Sequence, residues 1–196
     1  MAAGYGAPRA RSRLFVAVRL PPRVRESLAR ATRTLRTLEG VRPVRVEQLH
    51  LTVRFIGEME RSHEASLARE LAAGTADLTR FALRLHSAGV FPSLRRAKVI
   101  WLGVDEASGL AALHRSVEDA VVRAGVAPER RPFRPHVTVG RIRGTPPPVG
   151  LAEEITRVRF ETTVDVDRVS LMRSELLPRG ARHTEVDSWS LAESGS

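Results

Sequence analysis

His50-Leu51-Thr52-Val53-Arg54-Phe55 and Pro135-His136-Val137-Thr138-Val139-Gly140-Arg141 are two versions of one pattern. In each, a histidine and a threonine stand one residue apart, interleaved with aliphatic residues. Successive side chains of an extended chain point to opposite faces. His50 and Thr52 therefore share a face, with Leu49, Leu51 and Val53 on the other; His136 and Thr138 likewise oppose Val137 and Val139. Each segment reads as a half-buried strand with its aliphatic side on a core. One His-x-Thr strand alone would say little, because threonine is a favoured strand residue and a solvent-facing sheet surface is polar in any case. The information is in the repetition.

Working outward, each copy follows a helix at a similar interval. Val24, Leu28, Ala31, Leu35 and Leu38 recur at spacings of three and four, which predicts an amphipathic helix over 23–38 stopped by Gly40. A second helix is expected over 108–124, capped by Ser108 and closed by Gly125. The chain thus reads as a duplicated half whose pseudo-two-fold symmetry would bring both His-x-Thr strands to the centre. The remaining pattern gives a strand over 14–20 ended by Pro21-Pro22, a helix over 62–78, and strands over 81–85 and 98–104. Gly89 to Pro92 reads as a turn or strand end, and 125–134 and 144–148 as loops. Strands over 157–164, 167–175 and 182–191 finish the chain, the last two joined by a hairpin turn at 177–180. Intermixed helices and antiparallel-looking strands make the fold class α+β. Residues 1–12 read as a disordered tail, 13–191 as one bilobal domain and 192–196 as a second tail.

Composition narrows the partners. Lys plus Arg number 32 against 22 Asp plus Glu, a formal net charge of +10 in 196 residues, which favours a polyanionic partner. Lys98 is the only lysine. The arginine preference is one that GC-rich coding produces, yet the charge acts physically whatever its origin. The absence of cysteine removes disulfides, thiolate metal sites and cysteine nucleophiles together. No stretch approaches the ~18 apolar residues of a membrane span, and the first twelve residues lack the apolar core of a signal peptide. A cytoplasmic, membrane-free, monomeric protein is expected.

Two histidines facing each other across a groove can divide the two proton transfers of phosphodiester cleavage. A neutral imidazole takes a proton from water, and an imidazolium gives one to the departing alkoxide. Histidine suits both tasks because its ordinary pKa of about 6.5 lies near working pH. The threonine hydroxyls beside them can donate to non-bridging phosphate oxygens. Neither motif has a carboxylate or thiol beside it, a poor donor set for zinc, so neither metal nor cofactor is expected.

The two strings resemble those of the two-histidine phosphoesterases, and within them the RNA 2′,3′-cyclic phosphodiesterases, also called 2′-5′ RNA ligases. The resemblance spans about residues 13–191 and includes Arg13-Leu-Phe-Val-Ala-Val18, His50-Leu-Thr-Val-Arg-Phe-Ile-Gly57, Gly89-Val-Phe-Pro92, Val99-Ile-Trp-Leu-Gly103, Phe133-Arg-Pro-His-Val-Thr-Val-Gly-Arg141 and Val169-Ser-Leu-Met-Arg-Ser174. It implies two pseudo-symmetric lobes of antiparallel sheet with outer helices around a central groove. It implies hydrolysis of a ribose 2′,3′-cyclic phosphate to a 2′-phosphomonoester, with His50 as proton donor, His136 as proton acceptor, and Thr52 and Thr138 binding the phosphate. Arg141 follows the second motif where members often carry a basic residue near the ligand. Arg54 departs from the pattern, standing where an aliphatic or aromatic residue is common. By strand alternation it shares the face of His50 and Thr52, as a phosphate contact or a solvated side chain.

The other candidates divide less sharply. His63 and His114 read as surface or boundary residues, and His86 and His183 as structural residues that a groove could include. Trp101 and Phe91 read as core. Phe15 reads as core in preference to a base-stacking platform. Arg54, Arg134, Arg141 and Arg143 cluster around the motifs and could draw in RNA ends. Two other readings stay open: a non-catalytic RNA-end-binding protein, and the same site acting on 2′-5′ oligonucleotides or small nucleotide cyclic phosphates.

Overall fold

Leu14-Phe15-Val16-Ala17-Val18 is buried along its whole length, with Leu14, Val16 and Val18 in the main core and Phe15 and Ala17 clustered with Met172 on the other face, and the sheet is built around it. The structure, a computed structural model, describes residues 11–105, 108–177 and 180–193. In chain order the elements are β1 (Arg11–Arg19), α1 (Pro22–Ala31), α2 (Arg33–Thr37), β2 (Val41–Pro43), β3 (His50–Glu60), α3 (Glu64–Thr75), β4 (Phe81–Phe91), β5 (Val99–Val104), α4 (Ser108–Arg123), β6 (His136–Ile142), α5 (Leu151–Arg157), β7 (Glu161–Val166), β8 (Arg168–Leu177) and β9 (Gly180–Ser190).

A nine-stranded sheet runs β7-β4-β5-β6-β3-β1-β8-β9, with β2 added beside β6. Its strand pairings are antiparallel. The two halves, β3-β1-β8-β9 and β6-β5-β4-β7, meet where β3 pairs β6 through Leu51 and Val137. Each half contains a strand, a helical segment and a His-x-Thr strand: β1, α1–α2, β3 and β5, α4, β6. This is the expected bilobal α+β architecture. Helices cover one face, with α4 on β3 and β4, α2 on β2 and β6, and α5 on β4. Their apolar stripes, including Leu28, Leu35, Val117 and Val121, join Leu51, Val53, Val137 and Val139 in one core. The opposite face is the groove. No helix among the described residues is long and apolar enough to cross a membrane.

Several boundaries differ from expectation for local reasons. The helix over 23–38 is broken at Thr32, whose buried hydroxyl donates to the Leu28 carbonyl at 2.8 Å. Such a bond offers the backbone an alternative to continued helix. Strand β1 begins at Arg11, inside the expected tail, because Arg11 and Ser12 pair with Glu60 and Met59; the rest of that tail, residues 1–10, lies outside the described residues. At the other end Ala192 bridges Thr79, so the chain is tied down beyond 191. The strand expected over 157–164 is present but begins later, as β7 at Glu161, with α5 ahead of it. Leu151 and Ile155 are spaced to face the core over one turn, and Glu153 and Glu154 suit a helix N-terminus. The strand over 81–85 continues to Phe91 through Gly89, where a Cβ would lie 2.3 Å from the Trp101 ring.

Candidate active site

The site is set by the junction of β3 and β6. Leu51 and Val137 pair on the helix-covered face, so His50, Thr52, His136 and Thr138 project together into the groove. The antiparallel sense runs the motifs past each other, with the His end of each toward the Thr end of the other.

Both motifs contain a bulge at the same place. Opposite β1, Thr52 pairs with Ala17 and Arg54 with Val16, leaving Val53 extra. Opposite β5, Thr138 pairs with Trp101 and Gly140 with Ile100, leaving Val139 extra. An extra residue inverts the alternation beyond it. Phe55 and Arg141 consequently return to the groove side and are exposed, whereas Arg54 and Gly140 turn toward the interior and are buried.

The expectation for Arg54 is therefore corrected: it does not share the face of His50 and Thr52. Its side chain is 6% exposed. Its Nε donates to Glu118 on α4 and a terminal nitrogen donates to the Ala127 carbonyl at 2.7 Å. Glu118 in turn accepts from the Glu129 backbone N–H at 2.8 Å. Arg54 thus ties the first motif's strand to the loop that leads into the second.

Each histidine is oriented identically. The Nδ1–H of His50 donates to the Gln48 carbonyl and that of His136 to the Arg134 carbonyl, both at 2.7 Å. A carbonyl only accepts, so Nδ1 keeps its hydrogen and Nε2 is left as the exchanging nitrogen in both rings. His50 Nε2 lies 3.1 Å from the Thr52 hydroxyl. Aromatic rings support both imidazoles, Phe15 against His50 and Phe91 edge-on to His136, each with centroids 5.0 Å apart.

Burial holds both imidazoles toward the neutral form. It pushes His50 down to about 4, helped by the charges of His183, Arg141 and His136 and opposed by the Gln48 hydrogen bond. His136 is lowered by burial and then by Arg141. Arg141 also lowers His183, so this one guanidinium is felt by all three imidazoles that face the groove. An anion among them would oppose these shifts. Among the described residues no three metal-ligating side chains converge.

A model of the 2′-5′ RNA ligase superfamily matches residues 21–176, which include both motifs. The chain belongs to the 2′-5′ RNA ligase superfamily. Relatives named RNA 2′,3′-cyclic phosphodiesterase include that of Thermus thermophilus, 35% identical over 188 residues (91% of this chain, 90% of the relative). That of Methanothermobacter thermautotrophicus is 33% identical over 182 residues (91% and 98%). The crystal structure of E. coli LigT complexed with 3′-AMP superposes with a TM-score of 0.77 at 29% identity, covering 94% of this chain and all of that one. The T. thermophilus protein TT0787 gives 0.78 at 29%, covering 93% and 100%.

Within this superfamily member the groove also holds residues that the sequence pattern did not assign to it. His183 on β9 stands edge-on to His50 at 5.3 Å. Trp101 and Phe91 are half-buried at the second motif rather than in the core, and their rings lie 5.0 Å apart. Phe55 is 55% exposed beside Phe15. The signal that could have found them is cross-strand pairing: Trp101 faces Thr138 and Phe15 faces Phe55, so each shares its partner's face. Phe15 itself is buried, as expected. His63 is exposed, His114 stacks on Phe133 at 4.1 Å, and His86 bonds Asp105 at 2.6 Å; none of the three joins the His50–His136 cluster.

Proposed function

We propose that the protein is a metal-independent RNA 2′,3′-cyclic phosphodiesterase that opens the cyclic phosphate to a 2′-phosphomonoester. The observation that carries this is the pair of converging imidazoles, each with Nδ1 held by a backbone carbonyl and Nε2 left to exchange a proton. The relatives' names point to the same chemistry. Both motifs lie on one chain, so a monomer has a complete site.

In this reading the cyclic phosphodiester sits over the β3–β6 junction, its non-bridging oxygens on Thr52, Thr138 and Arg141. His136 Nε2 takes a proton from water as the water oxygen attacks phosphorus. The P–O3′ bond breaks and His50 Nε2–H delivers its proton to O3′. The substrate's negative charge offsets burial and the Arg141 field, which allows His50 to hold that proton when substrate is bound. Ligation uses the same nitrogens in the same sense: a 5′-hydroxyl in place of water attacks phosphorus and gives its proton to His136, the P–O3′ bond breaks with O3′ protonated by His50, and a 2′-5′ junction forms; the superfamily's name favours including it. Sites on 2′-5′ oligonucleotides or small cyclic phosphates require no different groups.

The test is hydrolysis of an RNA carrying a 2′,3′-cyclic phosphate end, in EDTA. His50→Ala and His136→Ala should each lower turnover roughly 10²–10⁴-fold. Wild-type protein that binds the end without turning it over would identify a non-catalytic end-binding protein instead.

A further inference from the structure

In the second lobe, on β4 and just past the end of β5, a serine, a histidine and an aspartate stand in line. The Ser87 hydroxyl lies 3.0 Å from His86 Nδ1, and His86 Nε2 lies 2.6 Å from the Asp105 carboxylate. A carboxylate only accepts, so Nε2 carries the hydrogen and Nδ1 keeps a lone pair for the Ser87 O–H. This is the reverse of the tautomer in His50 and His136, whose Nδ1 atoms donate. Arg84 holds the other Asp105 carboxylate oxygen at 3.3 Å and is itself fixed by Glu161 at 2.7 Å. The backbone at Ser87 is strained. Its φ is +50°, the one positive value outside glycine among the described residues. Ser87 is the extra residue of a bulge, because His86 pairs with Gly103 and Ala88 with Leu102. Such strain persists where the surroundings enforce it, and it gathers at functional sites.

We infer that Ser87 is a nucleophile, with His86 as its base and Asp105 as the group that orients the base, in an acyl-transfer site separate from the His50–His136 pair. A nucleophile bonded to a base, and the base to a third group that fixes its tautomer, is the arrangement this chemistry requires. Ser87 Oγ bonds to the acyl carbon of an ester as His86 Nδ1 takes the hydroxyl proton. The bond from that carbon to the alcohol oxygen breaks, and His86 passes the proton to the departing oxygen. Water then repeats the sequence on the acyl-serine and regenerates Ser87. Access is open: Ser87 is exposed, and Gly103 opposite His86 offers no side chain. A Cβ at Gly103 would lie 3.7 Å from His86 Cε1 and 3.5 Å from the Trp101 ring, so an apolar group lying over Gly103 meets the indole. An exposed serine relies on the reactivity of its substrate. The substrate class is therefore a small carboxylic ester with a good leaving group, of which an aryl ester suits the Trp101 wall best.

The experiment treats the full chain with a fluorophosphonate, from which an activated serine displaces fluoride to form a stable adduct, and follows the modified peptides by mass spectrometry. Ser87 should react roughly 10²-fold faster than the exposed serines Ser62 and Ser93, the lower end of what a positioned base supplies. Asp105→Asn should bring that rate down toward theirs. Ser87→Gly keeps the fold, because glycine adopts positive φ freely. It should lose p-nitrophenyl acetate hydrolysis relative to wild type and leave turnover of a 2′,3′-cyclic phosphate unchanged. Labelling of Ser87 no faster than of Ser62 and Ser93, or undiminished in Asp105→Asn, would overturn the nucleophile. Equal ester hydrolysis by wild type and Ser87→Gly would overturn the activity. Loss of cyclic phosphate turnover in Ser87→Gly would overturn the separateness of the site. Labelling and ester hydrolysis are read without any cyclic phosphate, so their outcome is independent of the phosphodiesterase reading.

Discussion

At the scale of single residues, the proposed roles ask opposite things of two imidazoles that burial shifts the same way: neutral His136 suits a base, whereas His50 would need the substrate's charge to act as an acid. Burial leaves both imidazoles neutral near pH 7, His50 at about 4. If His50 is the proton donor, donation is lost as pH rises through its pKa. The profile of kcat/KM reports the free protein and should peak on the acid side of 6.5, whereas kcat, which reports the complex, should peak at higher pH. These limbs are macroscopic values of the pair. Coincident optima in steady-state kinetics would refute the role given to the substrate's charge. The same burial has a cost in stability. The unfolded chain takes up the His50 proton from about pH 6.5 downward while the native state resists until about 4. Stability from this group is therefore full above 6.5 and falls by about 3 kcal/mol as pH drops toward 4. Urea denaturation at pH 7 and pH 4.5 should show a smaller acid loss in His50→Gln than in wild type.

At the scale of elements, the matched bulges decide which side chains reach the groove. Arg54 is the clearest case. Its guanidinium is buried against Glu118 and the loop before β6. Arg54→Leu should cost about 3 kcal/mol, because Glu118 is left without its cation. The same variant should lower kcat by disturbing the loop that holds His136 through the Arg134 carbonyl. Adding Glu118→Gln should recover part of the stability, as measured by denaturation midpoints; no recovery would show that Arg54 acts by packing alone. Period-two alternation correctly paired His50 with Thr52 and His136 with Thr138, and helical spacing found α1 and α4. Alternation failed beyond Val53 because a bulge has no residue signature here: Arg54 and Gly140 occupy equivalent positions with nothing chemical in common. His183 was illegible for a different reason. β9 reaches His50 only across β8 and β1, and strand order is a property of the closed sheet.

At the scale of the whole molecule, the two lobes meet through little backbone pairing, and the substrate's phosphate would contact both. The formal charge of +10 acts over this joint. Arginines lining a cleft beside His50 and Arg141 at the second motif place positive charge on both sides of that histidine. If that field recruits the RNA chain, association should depend on how many phosphates the substrate brings. For single strands the logarithm of affinity falls with the logarithm of salt by about 0.7 per phosphate neutralised. A decanucleotide ending in a cyclic phosphate should therefore show a steeper decline of kcat/KM between 50 and 500 mM salt (over which the Debye length shrinks from about 14 Å to about 4 Å) than a mononucleoside cyclic phosphate does. The mononucleoside, which brings a single phosphate, should decline shallowly. Parallel slopes would mean that the charge plays no part in selecting long RNA, and that recognition stops at the cyclic phosphate.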